Sequence, residues 1–218
     1  MKARRPARTK SKPQAKAKPR SKPASPAKRT ARPSDVVDRS LLEAEVMKRK
    51  GYPYVIHPLM DGVPRVQPEL LRTWVTWAAQ QRDILAGATL LLAPEAMGLP
   101  LAAGLSLETG IPYAVIRKRR YDLPGEEVAF AETGYGEAAL HINDAWPDDR
   151  VVIVDDVVST GGTLRGILTT LEAMGIKALG VLVFVDKTGK AASVAKQHAL
   201  PVRAMRAIRV DGDKVALR

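Results

Sequence analysis

The sequence predicts an α/β fold: a parallel sheet with helices on both faces and a disordered basic N-terminal tail. Three observations carry this. From Thr89 onward, short apolar β-rich runs alternate with helical stretches closed by glycine, the pattern of strand–helix–strand units. The run Val151 to Val154 is wholly β-branched, as expected of a strand buried on both faces, and leads into paired acids, Asp155 and Asp156. Residues 1–33 hold 13 Lys and Arg and no acidic residue, Leu, Ile, Val or aromatic. Such a segment cannot bury enough apolar surface to offset its ordering entropy. The chain therefore divides into a tail, 1–33, and a folded domain, 34–218.

The elements follow in order. Ser34 or Asp35 caps a first helix, with Val37, Leu41, Ala44 and Met47 at helical spacing and Gly51 as its stop. Tyr52 to Pro64 is too rich in Pro and Gly for regular structure. Pro68 opens a second helix through Leu85, whose Leu70, Trp74, Trp77 and Ile84 mostly share one face. Both tryptophans read as core or interface rather than as platforms for stacked bases. Leu90 to Ala93 is a short buried strand, Leu99 to Thr109 a helix closed by Gly110, and Ile111 to Lys118 a strand. Residues 119–136 form a long polar stretch, and loops of that length in a compact domain are usually lids or disordered. Ala138 to Ile142 is a short strand, followed by the strand Arg150 to Asp156. A helix from Thr163 to Met174 ends at Gly175. Ala178 to Asp186 is a strand, Thr188 to Gln197 a short helix, and Val202–Val210 and Lys214–Leu217 are strands around an Asp-Gly-Asp turn.

Composition narrows the class. There is no cysteine among 218 residues, which excludes a disulfide framework and a zinc–thiolate site. No apolar run is long enough to span a bilayer, and the N-terminus lacks a signal-peptide core, so a cytoplasmic location is expected. The 35 Lys and Arg less the 13 in the tail leave 22, against 23 Asp and Glu, so the whole net charge of +12 belongs to the tail. His57, His141 and His198 are scattered and form no metal-ligand pattern.

The run from Val151 to Leu164 is the most specific signal. Asp155 and Asp156 stand at the carboxyl end of a strand, where open α/β sheets bind ligands. Ser159, Thr160, Gly161, Gly162 and Thr163 then supply closely spaced amides and hydroxyls at a helix start, which makes a phosphate cradle. Two carboxylates beside it suit a ribose diol or a magnesium ion. A Walker A loop lacks its lysine here, and a dinucleotide fingerprint lacks its G-x-G-x-x-G. A receiver domain would need an acceptor Asp near position 196, which is Lys196.

This run resembles the phosphoribosyl-pyrophosphate (PRPP) signature of type I phosphoribosyltransferases. The likeness extends over roughly residues 36–211. Tyr54 to Pro64, Pro94 to Gly98, Arg117-Lys118 and Glu132 to Gly136 are similar to the archaeal-type hypoxanthine/guanine branch. Leu123 to Glu126 is similar to the loop of adenine phosphoribosyltransferases.

The resemblance implies a type I phosphoribosyltransferase fold with a small hood, and a purine-salvage transferase acting with PRPP and Mg²⁺. It implies that Asp155 and Asp156 hold the ribose hydroxyls and, through water, the metal. Ser159 to Thr163 would take the 5′-phosphate. Glu95, Ala96, Met97 and Gly98, in a loop that often carries a non-proline cis peptide, would face pyrophosphate together with Arg117 and Lys118. Residues 119–136 would be a lid, with Glu126 placed near the base. At Ser159 the chain departs from mammalian-type hypoxanthine-guanine enzymes, which set an Asp against the base there; serine cannot act as that general acid or base unaided. Lys187, after a strand end, is either a solvated loop lysine or a donor to a 6-oxo group. A homodimer is the family's usual state.

Two other classes compete. A PRPP-sensing transcription regulator would use the same pocket with a nucleic-acid-binding element, but 33 disordered residues cannot form a folded DNA-binding domain. An orotate or uracil enzyme on the same fold is disfavoured by the purine-like flanking stretches. Hypoxanthine or guanine is expected ahead of adenine. The tail invites weak nonspecific nucleic-acid association through counterion release. Deleting residues 1–33 should therefore leave base kinetics unchanged and abolish binding to duplex DNA, whose salt slope can reach at most ~12 if every basic residue engages a phosphate. Salt-insensitive DNA binding, or loss of catalysis on deletion, would contradict an independent electrostatic tail.

Overall fold

The computed structural model describes the backbone of residues 33–49, 52–133 and 136–218, and the side chains of all of these except 33–35, 49 and 132–137. The expected disordered tail and the Gly51 helix stop lie outside the described residues. The elements run α1 (Pro33–Leu42), β1 (Glu45–Arg49), β2 (Tyr52–Ile56), α2 (Pro58–Asp61), α3 (Pro68–Ala79) and α4 (Arg82–Leu85). They continue with β3 (Leu90–Pro94), α5 (Gly98–Thr109), β4 (Tyr113–Ile116), β5 (Glu127–Thr133) and β6 (Gly136–Ile142). The last are β7 (Arg150–Val158), α6 (Gly162–Ala173), β8 (Lys177–Asp186), α7 (Ala191–His198), β9 (Val202–Asp211) and β10 (Lys214–Leu217).

Six strands form the central sheet in the order β10-β9-β8-β7-β3-β4, all parallel except the β10–β9 hairpin. Side chains alternate across a strand, so a strand covered on both faces must be apolar throughout. On β7, Val152 and Val154 join one core with α3 and α5, while Val151 and Ile153 join another beneath α6 and α7. On β3, Leu91 and Ala93 face the first core and Leu90 and Leu92 the second. Helices thus cover both faces, as the sequence predicts. Every strand and helix expected from Leu90 to Thr109 and from Arg150 to Leu217 is present, with ends shifted by up to three residues.

Three expectations are corrected. The first helix stops at Leu42; Met47 lies on β1 and is exposed. Helical spacing over 34–47 did not reveal that β2 offers β1 a ladder, Glu45 to Arg49 against Ile56 to Tyr52. For the same reason Tyr52 to Pro64 is partly regular: a strand, then one helical turn. Pro53 is tolerated because this sheet has only two strands, both of them edges. The second helix breaks at Gln80, and Arg82–Leu85 makes a separate turn that still buries Ile84.

The third correction concerns 119–136. Half of that stretch is strand: β5 and β6 pair as an antiparallel hairpin. Ala129 and Ala131 are buried against α6 while Phe130 points outward, 71% exposed. A Cβ on Gly166 of α6 would lie 2.2 Å from the Phe130 carbonyl oxygen, so glycine permits this close approach.

The hood begins with α1, β1, β2 and α2, and is fixed through His57. Its Nδ1 accepts the Leu59 amide at 3.1 Å, capping α2, and this leaves the proton on Nε2, which donates to Ser40 Oγ at 3.0 Å. Ser40 in turn donates to the Val37 carbonyl at 2.8 Å. The ring is fully buried and stacks on Phe184 at 5.0 Å. Burial lowers its pKa from 6.5 to about 4.

An unfolded chain binds this proton below about pH 6.5, whereas the folded chain refuses it down to about 4, so the contribution to stability is full above pH 6.5 and is lost as pH falls toward 4. The loss amounts to about 3 kcal/mol. Replacing His57→Asn keeps a cap and removes the titration. Denaturant midpoints measured from about pH 7 to 4 should fall more steeply for the wild-type protein than for this variant; parallel curves would show that His57 is not the titrating group.

Candidate active site

The loops that follow β3, β4, β7 and β8 meet at the carboxyl edge of the sheet. β7 carries the carboxylate pair two residues inside its end rather than at its last position. Asp155 is buried and Asp156 is partly exposed beside a cavity of about 160 Å³. Asp155 Oδ1 accepts the Asp156 amide at 2.9 Å. Burial pushes the Asp155 carboxyl up to about 6, against the pull of its hydrogen bonds to Asp156 and of the Lys118 charge. Asp156 is raised well above the ordinary range, first by burial, then by Asp155, and further by Asp61. An apolar strand end thus holds two acids that cannot both ionise comfortably without a cation or hydroxyl donors.

The loop from Ser159 to Thr163, the expected phosphate cradle, follows directly. Gly161 takes φ 79°, a conformation that favours glycine, and α6 starts without a side-chain cap at that residue. The loop is braced from outside: Arg165 donates to the Thr160 carbonyl at 2.8 Å, and Thr188 Oγ1 donates to the Ser159 carbonyl. Ser159, Thr160, Gly161 and Thr163 line the cavity with Asp156. Gly162 is buried in the first turn of the helix.

On the other side, the peptide Glu95–Ala96 is cis. The Glu95 carboxylate accepts the Lys118 amide at 2.7 Å and meets Arg117 at 3.4 Å, so it ties the β3 loop to the end of β4. Gly98 allows the start of α5 to approach β7; a Cβ there would sit 2.8 Å from the Val154 carbonyl oxygen. Ala96 and Met97 complete this turn. Arg117 pairs with Glu95, and the charge of Lys118 reaches Asp155.

Glu126 is held apart. It does not line the cavity, and its carboxylate accepts from the Tyr121 amide at 2.9 Å, Asn143 Nδ2 at 3.2 Å and His141 Nδ1 at 3.2 Å. Burial works against its ionisation, but these contacts outweigh burial and lower its pKa.

The cavity has a wall that the sequence reading did not assemble. Tyr52 and Tyr54, on the same face of β2, line it with Asp61 and Lys187. The Tyr52 hydroxyl bonds Ser159 Oγ, and Tyr54 donates to Asp61 Oδ1. Lys187 Nζ donates to the Pro53 carbonyl and lies 4.0 Å from the centre of the Tyr52 ring. Lys187 is buried, not solvated. Asp186 positions it by accepting the Thr188 and Gly189 amides at 3.2 and 2.8 Å. The only available signal was position: Lys187 follows a strand end, and the tyrosines sit in the stretch matching the purine branch.

Among the described residues, no three His, Cys, Asp or Glu side chains cluster as a metal site. No helix there is long and apolar enough to cross a membrane. Asp155 and Asp156, the glycine-containing loop from Ser159 to Thr163 and the cationic turn at Lys118 thus lie along one sheet edge.

Comparison with known proteins agrees. A model of the phosphoribosyl transferase domain matches residues 67–200. "HGPRTase-like protein 2" of Haloquadratum walsbyi is 43% identical over 158 residues, 72% of this chain and 86% of that protein. The "Hypoxanthine/guanine phosphoribosyltransferase" of Methanohalophilus mahii is 39% identical over 177 residues, 81% of this chain and 92% of that protein. Among solved structures, adenine phosphoribosyltransferase from Thermoanaerobacter pseudethanolicus shares the fold with a TM-score of 0.62 at 22% identity, covering 78% of this chain and 97% of that one. The Trypanosoma brucei adenine enzyme gives 0.66 at 17% identity, covering 82% and 80%. The chain belongs to the type I phosphoribosyltransferase family, in its purine branch.

The acid pair sets a stability test. With a folded pKa raised to about 6 and an ordinary value of 3.8, Asp155 favours folding more as pH falls from 6 toward 4, and costs stability above 6. Without ligands, Asp155→Asn should be more stable than wild type at about pH 7.5, by on the order of 1–3 kcal/mol, with the gain vanishing near pH 4. The double variant Asp155→Asn with Asp156→Asn should abolish transfer and lose the thermal protection that PRPP and Mg²⁺ give. Near-wild-type turnover of the double variant at saturating PRPP would end the sugar-site assignment.

Proposed function

We propose that the protein transfers 5-phosphoribosyl from PRPP to a 6-oxopurine, hypoxanthine or guanine, releasing pyrophosphate and the nucleoside monophosphate. The observation that carries this reading is Lys187: a buried ammonium on the cavity wall, beside the acid pair and the phosphate loop. An ammonium only donates, so it suits an O6 acceptor and mismatches the 6-amino group of adenine. The identities of 39–43% to proteins named for hypoxanthine and guanine support the same base class. The carboxylate of Glu126, the candidate adenine contact, is engaged within its own segment.

Breaking the C1–pyrophosphate bond puts positive charge on the ribose ring and negative charge on the leaving group. Asp155 and Asp156 hold the 2′- and 3′-hydroxyls and stabilise the ring cation. Ser159 to Thr163 bind the 5′-phosphate through backbone amides and hydroxyls. The turn from Glu95 to Gly98, with Arg117 and Lys118, neutralises the pyrophosphate. The segment after Lys118 and the hairpin exclude water from the cation.

Mg²⁺ fits this site. It usually takes one or two carboxylates plus substrate phosphate oxygens rather than a protein cage, and a buried acid pair with raised pKa values offers that partial ligand set. When bound it supplies charge neutralisation to the diphosphate. The tail adds weak nucleic-acid affinity, the working unit is a homodimer, and the compartment is the cytoplasm.

Pyrophosphate release should be measured from PRPP and Mg²⁺ with adenine, hypoxanthine, guanine, xanthine, orotate and uracil. Hypoxanthine or guanine should give the highest kcat/KM. Lys187→Met should lower it for these bases about 10- to 100-fold, the loss of a charged hydrogen bond. A higher kcat/KM with adenine would overturn the base assignment and move attention to Glu126, and no release with any base would favour a PRPP sensor.

A further inference from the structure

The hood wall of the cavity has two unlike ends. Tyr52 and Tyr54 are two residues apart on β2, roughly 7 Å along the strand. The Tyr52 end carries a cation, Lys187 Nζ, 4.0 Å from the ring centre. The Tyr54 end carries an anion, Asp61, which also lines the cavity. One end can only donate hydrogen bonds; the other, when ionised, can only accept them.

Asp61 is the last residue of α2, and its orientation is fixed twice. Oδ1 accepts the Tyr54 hydroxyl, and Oδ2 accepts the His57 amide at 2.9 Å. Each carboxylate oxygen retains a second acceptor site. An asparagine could make both hood contacts, because a tyrosine hydroxyl also accepts. The negative charge is therefore not required to hold the hood, and it works against the neighbouring acids, since Asp61 helps to raise Asp156. A charge kept in such a place calls for a ligand edge rich in donors.

We propose that Asp61 determines specificity between the two 6-oxopurines, accepting from the 2-amino group of guanine while Lys187 donates to O6. This rests on the 6-oxopurine reading of the site. Guanine presents O6, N1–H and the 2-amino group along one edge: one acceptor, then donors. Hypoxanthine presents C2–H where the amino group would be and leaves Asp61 facing carbon. A site built to bond one exocyclic group discriminates against the analogue that lacks it, because its own polar group is left unpaired. Guanine is thus the preferred base.

The test compares wild type with Asp61→Asn, using guanine, hypoxanthine and adenine under saturating PRPP and Mg²⁺. GMP and IMP binding is measured in parallel by calorimetry without turnover. The expected result is a wild-type preference for guanine that falls at least tenfold in the variant, carried by the KM for guanine, with the GMP-over-IMP preference falling likewise. An unchanged guanine-to-hypoxanthine ratio overturns the proposal, as does an equal loss with both bases, which would assign Asp61 to the sugar. Wild-type preference for adenine is a different failure: it removes the 6-oxopurine reading before any variant is assayed. If Asp61→Asn fails to fold, Tyr54→Phe, which frees Oδ1 but leaves the charge, should narrow the ratio; an unaltered ratio there overturns the proposal equally.

Discussion

Two neighbouring carboxylates buried near the end of an apolar strand are the constraint on which the rest of this site depends. β7 runs through the centre of the sheet with both faces covered, so nothing along its first half can solvate a charge. Asp155 and Asp156 emerge where the helices give way to loops. There they meet the phosphate loop on one side and the Glu95 turn on the other. The tie from Glu95 to the Lys118 amide sets a cationic segment beside the acids. This edge therefore carries an electrostatic cost that the apolar first half of the strand does not.

The sheet and the position of the 159–163 loop between β7 and α6 were legible in the sequence, and for physical reasons. A strand buried on both faces is necessarily apolar, as Val151 to Val154 are, and glycines such as Gly110 and Gly175 mark helix ends through their backbone freedom. Asp155, Asp156 and Ser159 to Thr163 are contiguous, so spacing alone assembles them. The hood was misread because its β1–β2 ladder has weak local signals, and the second half of 119–136 because Phe130 and its neighbours alternate with small residues. The wall of Tyr52, Tyr54, Asp61 and Lys187 joins segments far apart in the chain, and no window of sequence displays it. His57 shows the same limit: its burial comes from Phe184 and Ser40, neither of them a sequence neighbour.

Charge is partitioned unusually. The folded domain is nearly neutral by composition, yet its sheet edge concentrates acids at β7 and bases at Arg117, Lys118 and Lys187. Local fields, not net charge, therefore set the electrostatics of this edge. By composition the excess positive charge lies instead in residues 1–33.

The contact of Tyr52 with Ser159 spans 107 residues, and that of Lys187 with Pro53 spans 134. Synthesis on a ribosome gives this separation a temporal meaning. The hood is made first, yet the cavity it walls stays open until Lys187 leaves the exit tunnel. Late contacts between such remote segments are slow to form, because the entropy of closing the intervening loop must be met first. A nascent chain stopped after α6 would carry the complete 159–163 loop and a cavity still missing Lys187 from its wall. The loop after β7 and the far wall of the cavity are therefore completed at different moments in the life of one polypeptide.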